Sequence, residues 1–174
     1  GDTATVADGM SGRLEIPSSP AVQIPRLGEG DMSVELWARP DCWNHPRHHK
    51  SYVHLWGKGL AGESEYVGRQ YNRDIDVAAG DELRPQRFSG YAFSPAGGLG
   101  VGAYFQDVIQ PGTWVYYVVQ FRFTATRPSV AIFRDGVQRN EQFLDKLGAG
   151  VLVPLPGPAP LRFWSVTAEE ATSK

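Results

Sequence analysis

Short segments of alternating apolar and polar residues, separated by turn signals, constrain the fold of this chain most. The clearest is Met32–Ala38, which reads Met-Ser-Val-Glu-Leu-Trp-Ala and is followed by Arg39-Pro40. Successive side chains of a β-strand point to opposite faces, so such a segment offers one face to a core and the other to solvent. No segment shows a convincing helical periodicity. The pattern predicts an all-β protein.

Other segments share this character or are rich in β-branched and aromatic residues. With Met32–Ala38, the predicted strands are Arg13–Ile16, Tyr52–Trp56, Glu65–Gln70, Arg87–Phe93, Leu99–Phe105, Thr113–Thr124, Ser129–Arg134, Val137–Gln142 and Leu161–Val166. Asp135-Gly136 predicts a tight hairpin, Gly57-Lys58-Gly59 is expected to end the third strand, and Glu141–Leu147 is the only candidate helical turn. So many short strands fit a two-sheet antiparallel sandwich.

Length and charge narrow the class of protein further. The 174 residues are expected to form a single domain, residues 1–174, because this is an ordinary domain length. Seventeen basic and nineteen acidic residues give a net charge of −2, so no basic field favours a nucleic-acid partner. No apolar run approaches the ~20 residues that cross a bilayer, so no membrane insertion is expected. The one cysteine, Cys42, excludes an internal disulfide.

Several motifs occur in an order that is known from one family. An alternating strand carries Glu35 and Trp37 and is closed by Pro40, and Gly112-Thr113-Trp114 opens the strongest strand. The further motifs are Gly12–Pro17, Trp56–Gly59, Ile132–Gly136 and Pro160–Phe163. In this order, over about residues 12–166, they resemble laminin-G-like domains, which are jelly rolls of the concanavalin-A-like lectin type.

The resemblance implies a jelly-roll sandwich that binds carbohydrate, protein or another cell-surface ligand, often with a calcium ion at its rim and rarely with catalytic activity. It also implies a secreted or cell-surface location. Such domains usually finish with a Gly-x-Ile-Asp-Glu-Val strand, which Thr167–Lys174 does not contain. Two explanations are open: the chain is a fragment of a larger protein, with neighbouring domains as partners, or an N-terminal stretch such as Thr3–Val6, which lies outside the residues described below, closes the sheet.

The face that carries Glu35, Trp37 and Arg39 is the predicted ligand site. The apolar face of the same strand already supplies the core, so Trp37 is left for solvent, where its ring can stack on a sugar. Glu35 and Arg39, about 13 Å apart at strand rise, would hydrogen-bond hydroxyls on either side of that sugar. Alternatively, both charged residues pair with neighbouring strands and Trp37 is covered. Trp114 is expected in the core.

Two long polar segments, 40–50 and 71–86, are predicted to be loops that wall this site, because functional residues often lie on such loops. Trp43 and Tyr71 are candidate rim aromatics within them. His54, with Trp56 expected on its face, is a candidate residue of the ligand groove. All three are included in the predicted ligand site.

Metal ligands are expected only in the second loop. Asp74 and Asp76 resemble the alternating oxygen ligands of calcium loops, so calcium is the one expected cofactor. Turn formation is the alternative role for these aspartates. The loop histidines His45 and His48 lack a second Cys/His pair to complete a zinc site.

The sequence favours binding over catalysis. Laminarinase-type enzymes of the related fold use a Glu-x-Asp-x-x-Glu strand, which is missing here. Glu63-Ser64-Glu65 and Asp74-Ile75-Asp76 have a two-residue spacing but are expected to be solvated acids in loops. The main hypothesis is a non-catalytic module that recognises a glycan or another cell-surface ligand. A structural domain that packs against other domains or protomers is the alternative, and a glycoside hydrolase or lyase is less favoured.

Overall fold

The computed structural model describes residues 14–41, 53–60, 63–71, 87–94, 100–107, 109–147 and 153–163. The strands in these ranges are β1 (Leu14–Ile16), β2 (Met32–Ala38), β3 (Val53–Leu60), β4 (Glu63–Tyr71), β5 (Arg87–Ala92), β6 (Val101–Phe105), β7 (Val115–Arg122), β8 (Ser129–Arg134), β9 (Val137–Phe143) and β10 (Leu161–Phe163). Two short 3₁₀ helices, Pro20–Val22 and Leu144–Leu147, complete the regular structure there. The all-β prediction is confirmed. No helix in the described ranges is long and apolar enough to span a membrane.

The strands form two antiparallel sheets. The six-stranded sheet has the order β1-β10-β3-β4-β5-β6, and the four-stranded sheet has the order β2-β7-β8-β9. The sheets pack face to face so closely that a Cβ atom added to Gly90 of β5 would lie 2.4 Å from a methyl carbon of Val119 of β7. The predicted two-sheet sandwich is therefore confirmed.

The core lies between the sheets and is rich in aromatic residues. From β7 it receives four side chains that are fully buried, those of Val115, Tyr117, Val119 and Phe121. The Tyr117 ring lies 5.5 Å from the Phe88 ring and 6.3 Å from the Trp56 ring, between ring centres. Its hydroxyl donates to the Ser89 carbonyl at 2.7 Å, which satisfies the one polar atom of this buried side chain.

The hairpin predicted at Asp135-Gly136 is confirmed. Arg134 and Val137 lie opposite each other at the ends of β8 and β9, so the loop has two residues. Asp135 and Gly136 have φ angles of 52° and 81°. Positive φ at both positions is the geometry that matches the twist of the two strands and favours this dipeptide.

The expected end of β3 at Gly57-Lys58-Gly59 is wrong, because the strand continues to Leu60. Lys58 points inward and is only 1% exposed. Its ammonium group pairs with Glu65 at 2.5 Å and donates to the Gly157 carbonyl at 2.7 Å. Glu65 is only 4% exposed and lies on β4, so the expectation that it is a solvated loop acid is also wrong.

A β-bulge in β3 overturns the expectation that His54 and Trp56 share a face. The register between β3 and β4 shifts after His54, which lies opposite Arg69, whereas Trp56 lies opposite Gly68. The extra residue, Leu55, reverses the alternation. Trp56 therefore faces the core, where it is fully buried and its ring fills the space over Gly68.

Candidate functional site

The outer face of the four-stranded sheet carries the exposed half of β2. The alternation predicted for Met32–Ala38 is confirmed, because every second residue is exposed while the residues between are half-buried or buried. Trp37 is 61% exposed. The alternative in which Trp37 is covered is therefore wrong.

β7 supplies the partner of this tryptophan. Tyr116 lies opposite Trp37, and the two ring centres are 5.2 Å apart with 30° between the ring planes. The Tyr116 hydroxyl donates to Glu35 Oε2 at 2.7 Å, and this hydrogen bond is the main reason why the pKa of Tyr116 is raised. Glu35 thus pairs with the neighbouring strand, as the alternative expected, and holds Tyr116 beside Trp37.

The expectation that Trp114 lies in the core is wrong. Trp114 is 47% exposed, because Val115 and Tyr117 occupy the core face of this segment and leave Trp114 and Tyr116 for the opposite face. The guanidinium carbon of Arg39 lies 5.7 Å from the centre of the Trp114 ring. We call Trp37, Trp114 and Tyr116 the aromatic shelf, with Glu35 and Arg39 beside it.

Beyond the aromatic shelf, the rings of the same face are covered by arginine side chains. The guanidinium of Arg122 lies 5.6 Å from the Phe133 ring centre, and that of Arg127 lies 4.0 Å from the Phe143 ring centre. Arg122 pairs with Glu141 at 3.0 Å, which keeps it over the sheet. Phe133 and Phe143 are half-buried, whereas Trp37 and Trp114 stay exposed. The rings most open to a ligand on this face are therefore those of the aromatic shelf.

His54 and Tyr71 belong to the other sheet. The inward side of the six-stranded sheet is marked by Gly90, so the row that contains His54 and Arg69 faces outward on the side away from the four-stranded sheet. Burial, with the charge of Arg69, lowers the pKa of His54 to about 4, so this histidine is neutral at neutral pH. Tyr71 is the last residue of β4, opposite Arg87, and its side chain lies outside the described part. The structure does not bring these two residues to the aromatic shelf.

The remaining predicted site residues, Trp43, Asp74 and Asp76, lie outside the described residues. Within the ranges that the structure describes, no group of three or more His, Cys, Asp or Glu side chains is placed to hold a metal ion. Calcium ligation by Asp74 and Asp76 stays a prediction.

Two of the three shelf residues, Trp114 and Tyr116, were missed by sequence reasoning. Their segment is apolar or aromatic on both faces, so alternation alone does not tell which face is buried. The signal that identifies them is the register, which sets Tyr116 opposite Trp37.

The chain matches no protein-family model and no curated protein. The resemblance to laminin-G-like domains therefore stays a prediction, and the argument for function depends on the geometry of the aromatic shelf.

Proposed function

We propose that the protein is a non-catalytic recognition module that binds a carbohydrate on the aromatic shelf. The observation that carries the proposal is the exposure of two tryptophans at the outer face of the four-stranded sheet, Trp37 in β2 at 61% and Trp114, directly before β7, at 47%. Large aromatic rings stabilise a fold most when they are buried, so rings left on a rigid surface indicate an interaction.

The geometry of the shelf suits a sugar ring. The C–H face of a pyranose stacks on an aromatic plane, and the strands hold Trp37 and Tyr116 side by side at little further entropic cost. Arg39, over Trp114, supplies hydrogen-bond donors for ring hydroxyls, and Glu35 supplies acceptor oxygens next to Trp37. This is a modified form of the predicted site, since Glu35 also orients Tyr116.

The described acids support a non-catalytic role. Glycosidases of the common mechanisms need two carboxyl groups on either side of one bond, about 5–9.5 Å apart. Both described acids at the shelf are engaged with neighbours, since Glu35 accepts a hydrogen bond from Tyr116 and Asp41 pairs with Arg39 at 3.6 Å. Glu65 is enclosed with Lys58 and does not reach solvent. We therefore retain the binding hypothesis over the hydrolase and lyase hypotheses.

The family resemblance supplies the finer parts of the proposal. Under it, the sandwich is a jelly roll of the laminin-G or concanavalin-A-like type, the protein is secreted or displayed on a cell surface, and a calcium ion bound by Asp74 and Asp76 assists recognition. The exposed shelf on a two-sheet sandwich agrees with such a module but does not require it.

A specific observation also favours the second candidate function, an interaction domain that packs against other domains. Leu14 and Ile16, on the short edge strand β1, are 48% and 37% exposed. Val153 and Leu155 are exposed as well. Apolar residues at an open edge can contact a neighbouring domain, so the experiment must separate this surface from the shelf.

A glycan array followed by titration of the strongest binder tests the two candidates. We expect Trp37→Ala and Trp114→Ala each to weaken glycan binding by at least about tenfold, equivalent to ~1.4 kcal/mol, while the melting temperature changes by only a few degrees. Leu14→Ala, an exposed apolar residue on the other sheet, is the matched control and should bind as the unaltered protein does. An array without any binder, or variants at the shelf that bind normally, would exclude the carbohydrate proposal.

A further inference from the structure

The four edges of the two sheets are not equally protected. β1 has three residues in the part of the chain that the structure describes, which offers little edge to pair. β6 and β9 lie against each other, where the Asn140 side chain donates to the Tyr104 carbonyl at 3.1 Å. β2, in contrast, has seven residues and pairs with β7 without any register shift. Within the described residues it carries no proline, lysine or bulge, so it is the long and regular edge.

The backbone groups that β2 directs to this edge can be identified. Asp135, on the β8 side of β7, donates its N–H to the Tyr116 carbonyl at 2.9 Å, and its side chain accepts from the Tyr116 N–H at 3.0 Å. Tyr116 therefore has no backbone group left for β2, so Trp37 opposite it is in a non-hydrogen-bonded pair. The N–H and carbonyl of Trp37 thus point to the open edge.

The same alternation applies along the strand. Since Trp37 directs its backbone groups to the open edge, the even-numbered residues are expected to direct theirs towards β7. The Pro40 carbonyl agrees with this, because it accepts from the Gly112 N–H at 2.8 Å on the β7 side. The odd-numbered positions Ser33, Glu35, Trp37 and Arg39 then present the open donors and acceptors. Pro40, which lacks an N–H, does not interrupt this row.

We propose that β2 pairs antiparallel with β2 of a second copy, across a twofold axis at Trp37. In this register, Trp37 lies opposite Trp37 of the other copy, and Glu35 lies opposite Arg39 on both sides of the axis. A register centred on Glu35 sets Arg39 opposite Asp31 but opposes two carboxylates at the axis, and one centred on Leu36 pairs no opposite charges. Opposite charges that face each other across strands stabilise the pairing and like charges destabilise it, so charge complementarity selects the register at Trp37.

The proposed pairing joins two four-stranded sheets into one. Cross-strand pairs keep their side chains on the same face, so the aromatic shelves of both copies lie next to each other on a continuous surface. Such a dimer presents two binding sites to one extended or repeated ligand, which raises the apparent affinity without any new contact. The dimer itself does not depend on carbohydrate binding.

Charge reversal tests both the surface and the register. Sedimentation over a concentration series should show a dimer for the unaltered protein, and Glu35→Arg or Arg39→Glu should each raise the dimer dissociation constant at least about tenfold. An equal mixture of these two variants should form a heterodimer in native mass spectrometry, because every facing pair is then of opposite charge. A protein with both reversals should form a homodimer again.

Arg127→Glu is the matched control, since Arg127 is exposed in the connection between β7 and β8 of the same sheet but pairs with Asp145, away from β2. It should leave the dimer intact, and far-ultraviolet circular dichroism should show the same fold for all variants. A protein that stays monomeric throughout the series would overturn the proposal. Dimers that resist both single reversals, or single variants that do not pair with each other, would overturn it equally.

Discussion

The outer faces of both sheets carry arginines that stack on aromatic rings, but the rings differ in their exposure to solvent. On the four-stranded sheet, Arg39 lies 5.7 Å from the Trp114 ring centre, and that ring is 47% exposed. On the six-stranded sheet, Arg69 lies 4.6 Å from the Tyr91 ring and Arg87 lies 4.0 Å from the Tyr104 ring. There the tyrosines are half-buried. An arginine stacked on an aromatic ring therefore completes the packing on one face and leaves a ring open on the other.

For Tyr91 and Trp37, the position of the strand that carries the ring explains the difference. β5, which carries Tyr91, has neighbours on both sides, and Gly102 on β6 makes room for the Tyr91 ring, since a Cβ there would lie 2.5 Å from it. Among the described strands, β2 is an edge strand with one neighbour, so Trp37 has Tyr116 on one side only. A ring that fills a prepared space contributes to stability, whereas a ring at an open edge is available for binding.

Truncating the two kinds of ring should give the largest contrast. Tyr91→Ala removes a half-buried ring that stacks on Phe93, so we expect it to lower the free energy of unfolding by about 2–3 kcal/mol. Trp37→Ala should lower it by less than about 1 kcal/mol because most of the ring is already in water. Unfolding in guanidinium chloride measures both. Equal losses would mean that Trp37 is a packing residue.

Acidification should affect the two faces in different pH ranges. The pKa of His54 is about 4 in the folded protein, against an ordinary value of 6.5, so the unfolded chain binds more protons between these values. The free energy of unfolding should therefore fall as the pH falls from about 6.5 to 4, by about 2 kcal/mol after allowance for partial exposure. Urea unfolding at several pH values should show this loss in the unaltered protein and a flatter profile in His54→Asn.

Glu141, on the four-stranded sheet, provides the comparison for that profile. Its pKa is lowered, mainly by the hydrogen bond from Ser129 and also by Arg122, from an ordinary value of 4.5. Its contribution is therefore present above about pH 4.5 and is lost only below it. Glu141→Gln should change how the free energy of unfolding depends on pH only below about pH 4.5. A change near pH 6 in this variant would contradict the assignment of the two ranges to the two faces.

Local signals were sufficient to predict most of the strands. Asp135-Gly136 determines its hairpin through its own backbone preferences, and Met32–Ala38 needs only its alternation to place Trp37 outside. The end of β3 could not be predicted this way. Lys58 continues the strand because it finds Glu65 and the carbonyl of Gly157, which is 99 residues away in the sequence.

The candidate site was predictable only in part, for a related reason. Glu35, Trp37 and Arg39 follow from one strand, but Tyr116 and Trp114 join them through pairing with a strand far along the chain. The predicted place of His54 failed because one extra residue in a bulge reverses the alternation, and alternation in the sequence does not reveal a bulge.

The smallest expected effect comes from replacing one arginine by lysine on each face. Lysine keeps the charge but loses the planar group that stacks on a ring and donates in a fixed fork. Arg87→Lys should cost about 1 kcal/mol of stability, since its stack on Tyr104 is closer and more buried, and should leave glycan binding unchanged. Arg39→Lys should lower the free energy of unfolding by less than about 0.5 kcal/mol and weaken glycan binding about threefold, because Trp114, the ring on which Arg39 stacks, lies at the proposed glycan site. Chemical unfolding measures the stability and calorimetric titration measures the glycan affinity.

Since Lys at position 39 still carries the charge that faces Glu35 of a second copy, the dimer should persist, so weaker glycan binding cannot be attributed to dissociation of the dimer. Weaker glycan binding in Arg87→Lys and not in Arg39→Lys would move the site to the six-stranded sheet.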